Sequence, residues 1–139
     1  MRRPMPFTYS RTIRFADTDA AGVVFFPNYL AICHEAYEEA LVVAGLNLPS
    51  FFAGTGVIVP ISRSEAEYLR PLRASDKVTV TLVPKLLTPD SFAIDYELHR
   101  LTPVRKLAAR VRTEHVSTSP EKRERVSLPD ALRRWVDAG

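Results

Sequence analysis

The sequence predicts an α+β domain in which an antiparallel sheet surrounds one long helix. Three observations lead to this prediction. Apolar residues recur every three or four positions between Pro27 and Gly45, as in an amphipathic helix. Later segments alternate apolar and polar residues, as half-buried strands do. Short turn-rich segments join these strands, which favours antiparallel neighbours.

Length and composition limit the class of protein. The chain has 139 residues, which predicts a single domain spanning 1–139. Its net charge of +3 is too small for a surface that coats nucleic acid. No apolar run approaches the ~18 residues of a membrane span, and the start of the chain lacks the apolar segment of a secretory signal. Because the single cysteine, Cys33, fits a reducing compartment, we expect a cytoplasmic protein.

The first half of the chain predicts a strand, a turn and the long helix. Residues 7–15 mostly alternate apolar with polar side chains and predict a half-buried strand. The segment 17–22 is rich in turn residues. Pro27 suits the first helical position, which needs no amide hydrogen, and Gly45 suits the end. The helix between them should be roughly 18 residues long.

The second half predicts four strands and a short terminal helix. The strands are expected over 57–69, 78–82, 92–99 and 104–116, and the helix over 129–136. Pro60 implies a sheet edge or a bulge in the first of these strands, because proline cannot donate a ladder hydrogen bond. The stretch 104–116 also fits helical spacing, but a strand is favoured because the preceding strand needs a partner. We expect the four strands to form a meander.

The most informative segment is Asp17-Thr-Asp19, which lies three residues before Gly22. Asp-x-Asp-x-x-Gly opens the calcium-binding loop of EF-hands. The fifth position here is Ala21 and the twelfth is Asn28, so two ligands of that loop are missing. A strand is also predicted before the segment, where an EF-hand has a helix. The sequence therefore argues against calcium.

A zinc site is not predicted either. His34-Glu35-x-x-Glu38 is similar to the helical His-Glu-x-x-His motif, but the second histidine is absent. Cys33 has no second cysteine to share a metal with. We expect no metal and no redox cofactor.

Two interpretations of the aspartate pair remain open from spacing alone. Aspartates in turns commonly cap backbone amides. Alternatively, a carboxylate on a loop that doubles back could face the amino end of the helix near Phe26, where amide hydrogens can stabilise an oxyanion. The carboxylate would then attack a carbonyl or activate water. A thioester suits this chemistry, because its thiolate leaves without prior protonation.

The segment 15–29, FADTDAAGVVFFPNY, resembles the signature of hotdog-fold acyl-CoA thioesterases of the 4-hydroxybenzoyl-CoA type. The resemblance covers nearly the whole chain and implies a hotdog fold. Within that family the chain is most similar to cyanobacterial 1,4-dihydroxy-2-naphthoyl-CoA hydrolases of phylloquinone synthesis. This similarity rests on residues 16–24, 33–38, 95–97 and 113–116. It implies hydrolysis of an aromatic acyl-CoA, with the naphthoyl thioester as the expected substrate.

The resemblance also implies roles for four residues of the signature. Asp19 matches the catalytic aspartate, as nucleophile or general base, and the backbone amide of Phe26 matches the oxyanion donor. Asp17 is expected to shape the turn, and Gly22 to supply a backbone conformation that other residues resist. Coenzyme A belongs to the substrate, so no separate cofactor is implied.

His34 and Glu38 lie one helical turn apart and allow two interpretations. They form either a simple helix-face pair or part of an acyl pocket that binds a hydroxylated aromatic ring.

A late basic cluster, Lys122, Arg123 and Arg125, falls where relatives bind a phosphate of coenzyme A. Such a cluster suits a small phosphorylated ligand, although a solvated charged face is the simpler interpretation. The turn 88–90, where some relatives carry cations, has none here. The phosphate-binding residues are therefore expected in the late cluster.

The family forms its sites between protomers, which implies a homodimer or a homotetramer. Two other functions fit the same residues. One is a thioesterase for 4-hydroxybenzoyl-CoA or short acyl-CoA esters, and the other is a hotdog protein that binds acyl-CoA without catalysis.

Overall fold

A five-stranded antiparallel sheet and one long helix make up the fold of residues 6–139, the part of the chain that this computed structural model describes. The strands of the sheet are β1 (Phe7–Thr12), β2 (Ile61–Tyr68), β3 (Lys77–Thr88), β4 (Ser91–Arg100) and β5 (Lys106–Val116). A small hairpin follows, formed by β6 (Thr118–Ser119) and β7 (Glu124–Arg125). The α-helices are α1 (Pro27–Val43), α2 (Leu48–Gly54) and α3 (Asp130–Ala138).

The strand order is β1-β3-β4-β5-β2, so the predicted four-stranded meander is wrong. Only β3, β4 and β5 form a meander, and β2 crosses to the outer side of β5. Cross-strand charge pairing favours this arrangement, because Glu65 lies opposite Arg112 and Glu67 opposite Arg110. The edge position predicted from Pro60 is confirmed.

The core lies between α1 and the inner face of the sheet. The predicted amphipathic helix is confirmed over 17 residues, and Gly45 closes it with a φ of 94°. The helix buries seven side chains: Tyr29, Ile32, Cys33, Ala36, Tyr37, Ala40 and Leu41. The sheet buries alternate residues of its central strands against them, including Val80, Leu82, Ile94 and Leu98. This packing turns the amino end of α1 toward the loop that follows β1.

Two strands are shorter than predicted, the first at its end and the second at its start. The first ends at Thr12, and Phe15 is 86% exposed in a short 3₁₀ turn. The turn forms because the Asp17 carboxylate accepts the Arg14 N–H at 2.7 Å. The second begins at Ile61, directly after Pro60, which has no N–H to donate to the ladder. The Pro60 carbonyl still accepts the Val116 N–H at 3.0 Å, and Ile58 forms an isolated antiparallel bridge with Thr118.

The remaining elements agree in part with the predictions. The strand interpretation of 104–116 is confirmed, with β5 beginning at Lys106, and the terminal helix is confirmed as α3. The short helix α2 and the β6–β7 hairpin were not predicted. Among the described residues, no helix is long and apolar enough to cross a membrane.

Candidate active site

The loop between β1 and α1 doubles back on itself as a short hairpin. The Asp17 carbonyl accepts the Phe25 N–H at 2.9 Å, and the Asp19 N–H donates to the Val23 carbonyl at 3.0 Å. Thr18 and Val24 form an antiparallel bridge between these two hydrogen bonds. One arm of this site hairpin (residues 17–25) therefore carries Asp19, and the other leads directly into Phe26 and α1.

Gly22 closes the site hairpin. Its φ is 81° and its N–H donates to the Asp19 carbonyl at 2.9 Å. No atom lies within 4 Å of the position where a Cβ would stand. Glycine is therefore favoured here by its left-handed backbone and not by lack of space.

Asp19 points toward solvent. Its Oδ1 accepts the Ala21 N–H at 2.9 Å, which is the turn-capping use of aspartate. Its Oδ2 has no hydrogen-bond donor among residues 6–139. The side chain thus caps the turn with one oxygen and leaves the other available for chemistry, so the two interpretations of this residue are compatible.

The amino end of α1 offers a free amide. Phe26 is the N-cap, with helical φ and ψ of −53° and −37°, and Pro27 follows it. The Asn28 and Tyr29 amides donate to the Phe25 and Phe26 carbonyls. The Phe26 N–H donates no hydrogen bond to any described residue. It is therefore the first free donor at the positive end of the helix dipole.

The Asp17 side chain, unlike that of Asp19, is largely buried and is held by an ion pair. Its side chain is 19% exposed, and its Oδ2 lies 2.6 Å from the Arg11 guanidinium and 2.7 Å from the Arg14 amide. Both contacts engage the same carboxylate oxygen. These contacts agree with the shaping role expected for Asp17, which stays a prediction.

A row of aromatic side chains borders the site hairpin. Phe25, Phe26 and Tyr68 are 45%, 61% and 45% exposed. The Tyr68 ring packs edge-on against Phe26 and Tyr29, with ring centres 6.4 and 5.0 Å away, and its hydroxyl donates to the Phe26 carbonyl at 3.4 Å. Because Tyr68 comes from the edge strand, this aromatic row could not be predicted from the spacing around Asp19.

His34 and Glu38 are exposed on α1 and form no ion pair with any described residue. At ~1.5 Å per residue they lie about 12 and 18 Å along the helix from Phe26. Glu38 borders an open groove of ≈ 800 Å³ at the far end of the helix. One chain therefore does not bring these two residues together with Asp19.

Cys33 and His34 are neighbours in sequence but have different surroundings. Cys33 is buried, and burial raises the pKa of its thiol. His34 lies on the surface, with its ring edge-on to Tyr37 at 5.7 Å. Within residues 6–139, no three His, Cys, Asp or Glu side chains are grouped as metal ligands are.

Lys122, Arg123 and Arg125 are exposed on the β6–β7 hairpin. Arg125 pairs with Asp90 at 2.7 Å, which places the cluster beside the β3–β4 turn. Hydrogen bonds from Thr88 and then from Arg125 lower the pKa of Asp90. The site hairpin lies beside the start of β3, because the Ile13 N–H donates to the Asp76 carbonyl. The length of β3, about 36 Å, therefore separates the cluster from Asp19 within one chain.

A second group of cations lies much closer to the site hairpin. We call it the basic rim. The Val24 amide donates to the Leu72 carbonyl, which joins the segment before β3 to the site hairpin. No member of the rim forms an ion pair with a described residue. The members are Arg14, Arg70, Arg73, Lys77, Arg100, Arg105 and Lys106. They come from four separate segments, so no local motif predicts the rim.

The site hairpin thus carries an exposed carboxylate, Asp19, on one arm and leads on the other arm into the free amide at the start of α1, which packs on the sheet. The chain belongs to the Thioesterase-like superfamily, whose family model matches residues 13–136. The predicted family and hotdog fold are thereby confirmed.

Individual proteins of known name are similar to the chain over nearly its whole length. The chain is 42% identical to a 1,4-dihydroxy-2-naphthoyl-CoA hydrolase of Rippkaea orientalis over 92% of its length and 93% of the relative's. The hydrolase of Nostoc punctiforme is also 42% identical, over 96% and 88% of the two chains. A crystal structure of a 1,4-dihydroxy-2-naphthoyl-CoA thioesterase from Synechocystis superposes with a TM-score of 0.89 and 31% identity, over 96% of both chains.

Proposed function

We propose that this protein hydrolyses 1,4-dihydroxy-2-naphthoyl-CoA to the free aromatic acid and coenzyme A. One observation carries the proposal: the two arms of the site hairpin lead to an available Asp19 carboxylate oxygen and to the free Phe26 amide. The names of relatives at 42% identity supply the substrate. The aromatic row beside the site suits a flat acyl group.

The reaction needs two groups from the protein. The thioester carbonyl accepts a hydrogen bond from the Phe26 amide, and the helix dipole stabilises the negative charge that develops on this oxygen. Asp19 either attacks the carbonyl carbon, forming an anhydride that water then cleaves, or removes a proton from an attacking water. In both routes the C–S bond breaks and the coenzyme A thiolate leaves. The proposed chemistry uses no metal and no cofactor.

We propose that a second copy of the chain completes the binding site. On the side away from β5, no described strand pairs with β2, and the neighbouring Ile58, Ile61 and Leu69 are 49%, 44% and 42% exposed. Pairing of two β2 strands about a two-fold axis is necessarily antiparallel. It would bring the far end of one chain beside the site hairpin of the other. We propose a homodimer built this way, or a homotetramer of two such dimers.

This arrangement gives the remaining substrate-binding residues a role. Lys122, Arg123 and Arg125 of the second copy would approach the phosphates of coenzyme A. His34 and Glu38 would contact the hydroxylated ring of the acyl group across the same interface. The buried, unpaired thiol of Cys33 supports the proposal that the enzyme acts in the reducing cytoplasm.

The test of the catalytic role compares Asp19→Asn with the wild type on the naphthoyl thioester. Asparagine keeps an oxygen to accept the Ala21 N–H but cannot act as a base or nucleophile. We expect kcat to fall at least ~10²-fold. Asp130→Asn, an exposed carboxylate in α3, is the matched control and should keep full activity. Wild-type kcat in Asp19→Asn would overturn the role of Asp19.

A panel of substrates tests the acyl group. The naphthoyl thioester should give the highest kcat/KM, above 4-hydroxybenzoyl-CoA and short aliphatic acyl-CoA esters. A preference for either of the latter would replace the proposed substrate with that class. Binding of acyl-CoA with no turnover of any ester would show a non-catalytic acyl-CoA-binding protein.

A further inference from the structure

Arg11 connects three elements around the candidate site. It lies near the end of β1, and its side chain is 12% exposed. One nitrogen donates to Asp17 Oδ2 at 2.6 Å, and another contacts both Glu35 carboxylate oxygens at 3.0 and 3.3 Å. The Tyr9 hydroxyl donates to the same Glu35 at 2.9 Å. The strand, the site hairpin and α1 are thus tied together by one cation.

This connection continues through the backbone of Asp17. The Asp17 carbonyl accepts two hydrogen bonds at 2.9 Å, from the Phe25 N–H and from the Asn28 side-chain amide. Phe25 directly precedes the proposed oxyanion donor, and Asn28 lies in the first turn of α1. The position of Asp17 therefore determines where the Phe26 amide points.

Glu35, the second carboxylate that Arg11 contacts, helps to position the Phe26 amide by holding α1. Glu35 lies on α1, about two and a half turns from its amino end. Its contact with Arg11 holds the helix against β1, while Asp17 holds the site hairpin to the same guanidinium. Arg11 therefore determines the distance between the helix end and the arm that carries Asp19.

We propose that Arg11 is a positioning residue for thioester hydrolysis, acting through Asp17 and Glu35 to set the Phe26 amide against Asp19. The proposal rests on the hydrolase function given above. A planar guanidinium can bind two carboxylates at fixed angles, whereas a lysine ammonium cannot. A misplacement of about 1 Å at a reacting centre costs roughly 10²-fold in rate, so the effect of losing this geometry falls on kcat.

The decisive variant is Arg11→Lys, which keeps the positive charge but removes the planar guanidinium that contacts both carboxylates. We expect kcat to fall about 10- to 100-fold while KM changes less than about two-fold. The same loss should occur with a short N-acetylcysteamine thioester, because the defect lies at the carbonyl and not at the phosphates. Arg133→Lys is the matched control: Arg133 pairs with Asp137 at 2.9 Å on the exposed face of α3 and should keep wild-type kcat.

Thermal unfolding of each variant sets an assay temperature at which all are folded. If Arg11→Lys does not fold, Glu35→Gln takes its place, because it weakens one end of the connection and keeps the Tyr9 hydrogen bond. Wild-type kcat in the folded variant, with only a lowered melting temperature, would overturn the inference and leave the hydrolase function intact. Absence of hydrolysis by the wild type would overturn the hydrolase function itself.

Discussion

Asp17 and Asp19 have the same side chain and lie two positions apart, yet the structure gives them opposite surroundings. Asp17 faces Arg11 and accepts two hydrogen bonds on one oxygen, while Asp19 turns to solvent with one oxygen free. The backbone separates them: Asp17 ends the 3₁₀ turn Phe15–Asp17, whereas Asp19 begins the turn that Gly22 closes. The different roles proposed for the two aspartates rest on these different turns.

His115 shows a similar dependence on surroundings. It is 1% exposed, its ring stacks on Phe92 with ring centres 4.6 Å apart, and its Nε2 is 2.8 Å from the Thr113 hydroxyl. Its Nδ1 has no partner among the described residues. Burial, and to a lesser extent the nearby His34, lowers the pKa of His115 to about 4. The folded protein therefore holds this ring neutral.

We expect the free energy of unfolding to fall as the pH drops from about 6.5 to about 4. In that pH range His115 is protonated in the unfolded chain but stays neutral in the folded protein, so lowering the pH favours unfolding. At about pH 4 the loss in the free energy of unfolding should be on the order of 3 kcal/mol. Urea unfolding at pH 7.5 and 5.0 measures the loss. His115→Gln should show a smaller difference between the two pH values. An equal difference in both proteins would contradict the prediction.

At the level of elements, the spacing of apolar residues predicts those helices and strands whose formation depends on neighbouring residues in the sequence. The helix α1 and the strands β3 and β4 follow from spacing, whereas β5 also fits helical spacing and is predicted as a strand because β4 needs a partner. The place of β2 beside β5 depends on pairing between segments far apart in sequence. The ties from Arg11 to Asp17 and Glu35 are likewise contacts between elements, so no motif reveals them.

The β6–β7 hairpin provides an element-scale prediction. If its cations bind the phosphates of coenzyme A, Lys122→Gln combined with Arg123→Asn should raise KM several-fold for the naphthoyl-CoA ester and leave kcat unchanged. Asparagine is chosen because Arg123 has a φ of 54°. The N-acetylcysteamine thioester, which has no phosphate, should be hydrolysed equally well by variant and wild type.

A matched variant in the basic rim tests whether the phosphates bind there instead of at the β6–β7 hairpin. Arg73→Gln combined with Arg105→Gln removes the same number of charges near the site hairpin. An increase in KM in this second variant, with none in the first, would assign the phosphates to the rim and overturn the role of the β6–β7 hairpin.

For the whole molecule, the unpaired side of β2 predicts that assembly and activity are coupled. Ile61→Lys combined with Leu69→Lys adds charge to this edge, where two copies are proposed to meet. We expect the dimer to dissociate at lower loading in sedimentation velocity, and kcat/KM to fall with it. Val104→Lys, at a 61% exposed position in the β4–β5 turn, should change neither. A fully active monomer would show that one chain holds the complete site.

The site hairpin has a consequence for how such an enzyme acquires new substrates. The carboxylate proposed to react, Asp19, and the amide proposed to stabilise the anion, Phe26, are seven residues apart in sequence and are connected by one set of backbone hydrogen bonds. Selectivity for the acyl group, by contrast, is proposed to arise from α1 and the neighbouring protomer. Mutations that reshape the pocket can therefore accumulate without disturbing bond cleavage, so the two properties are free to diverge independently.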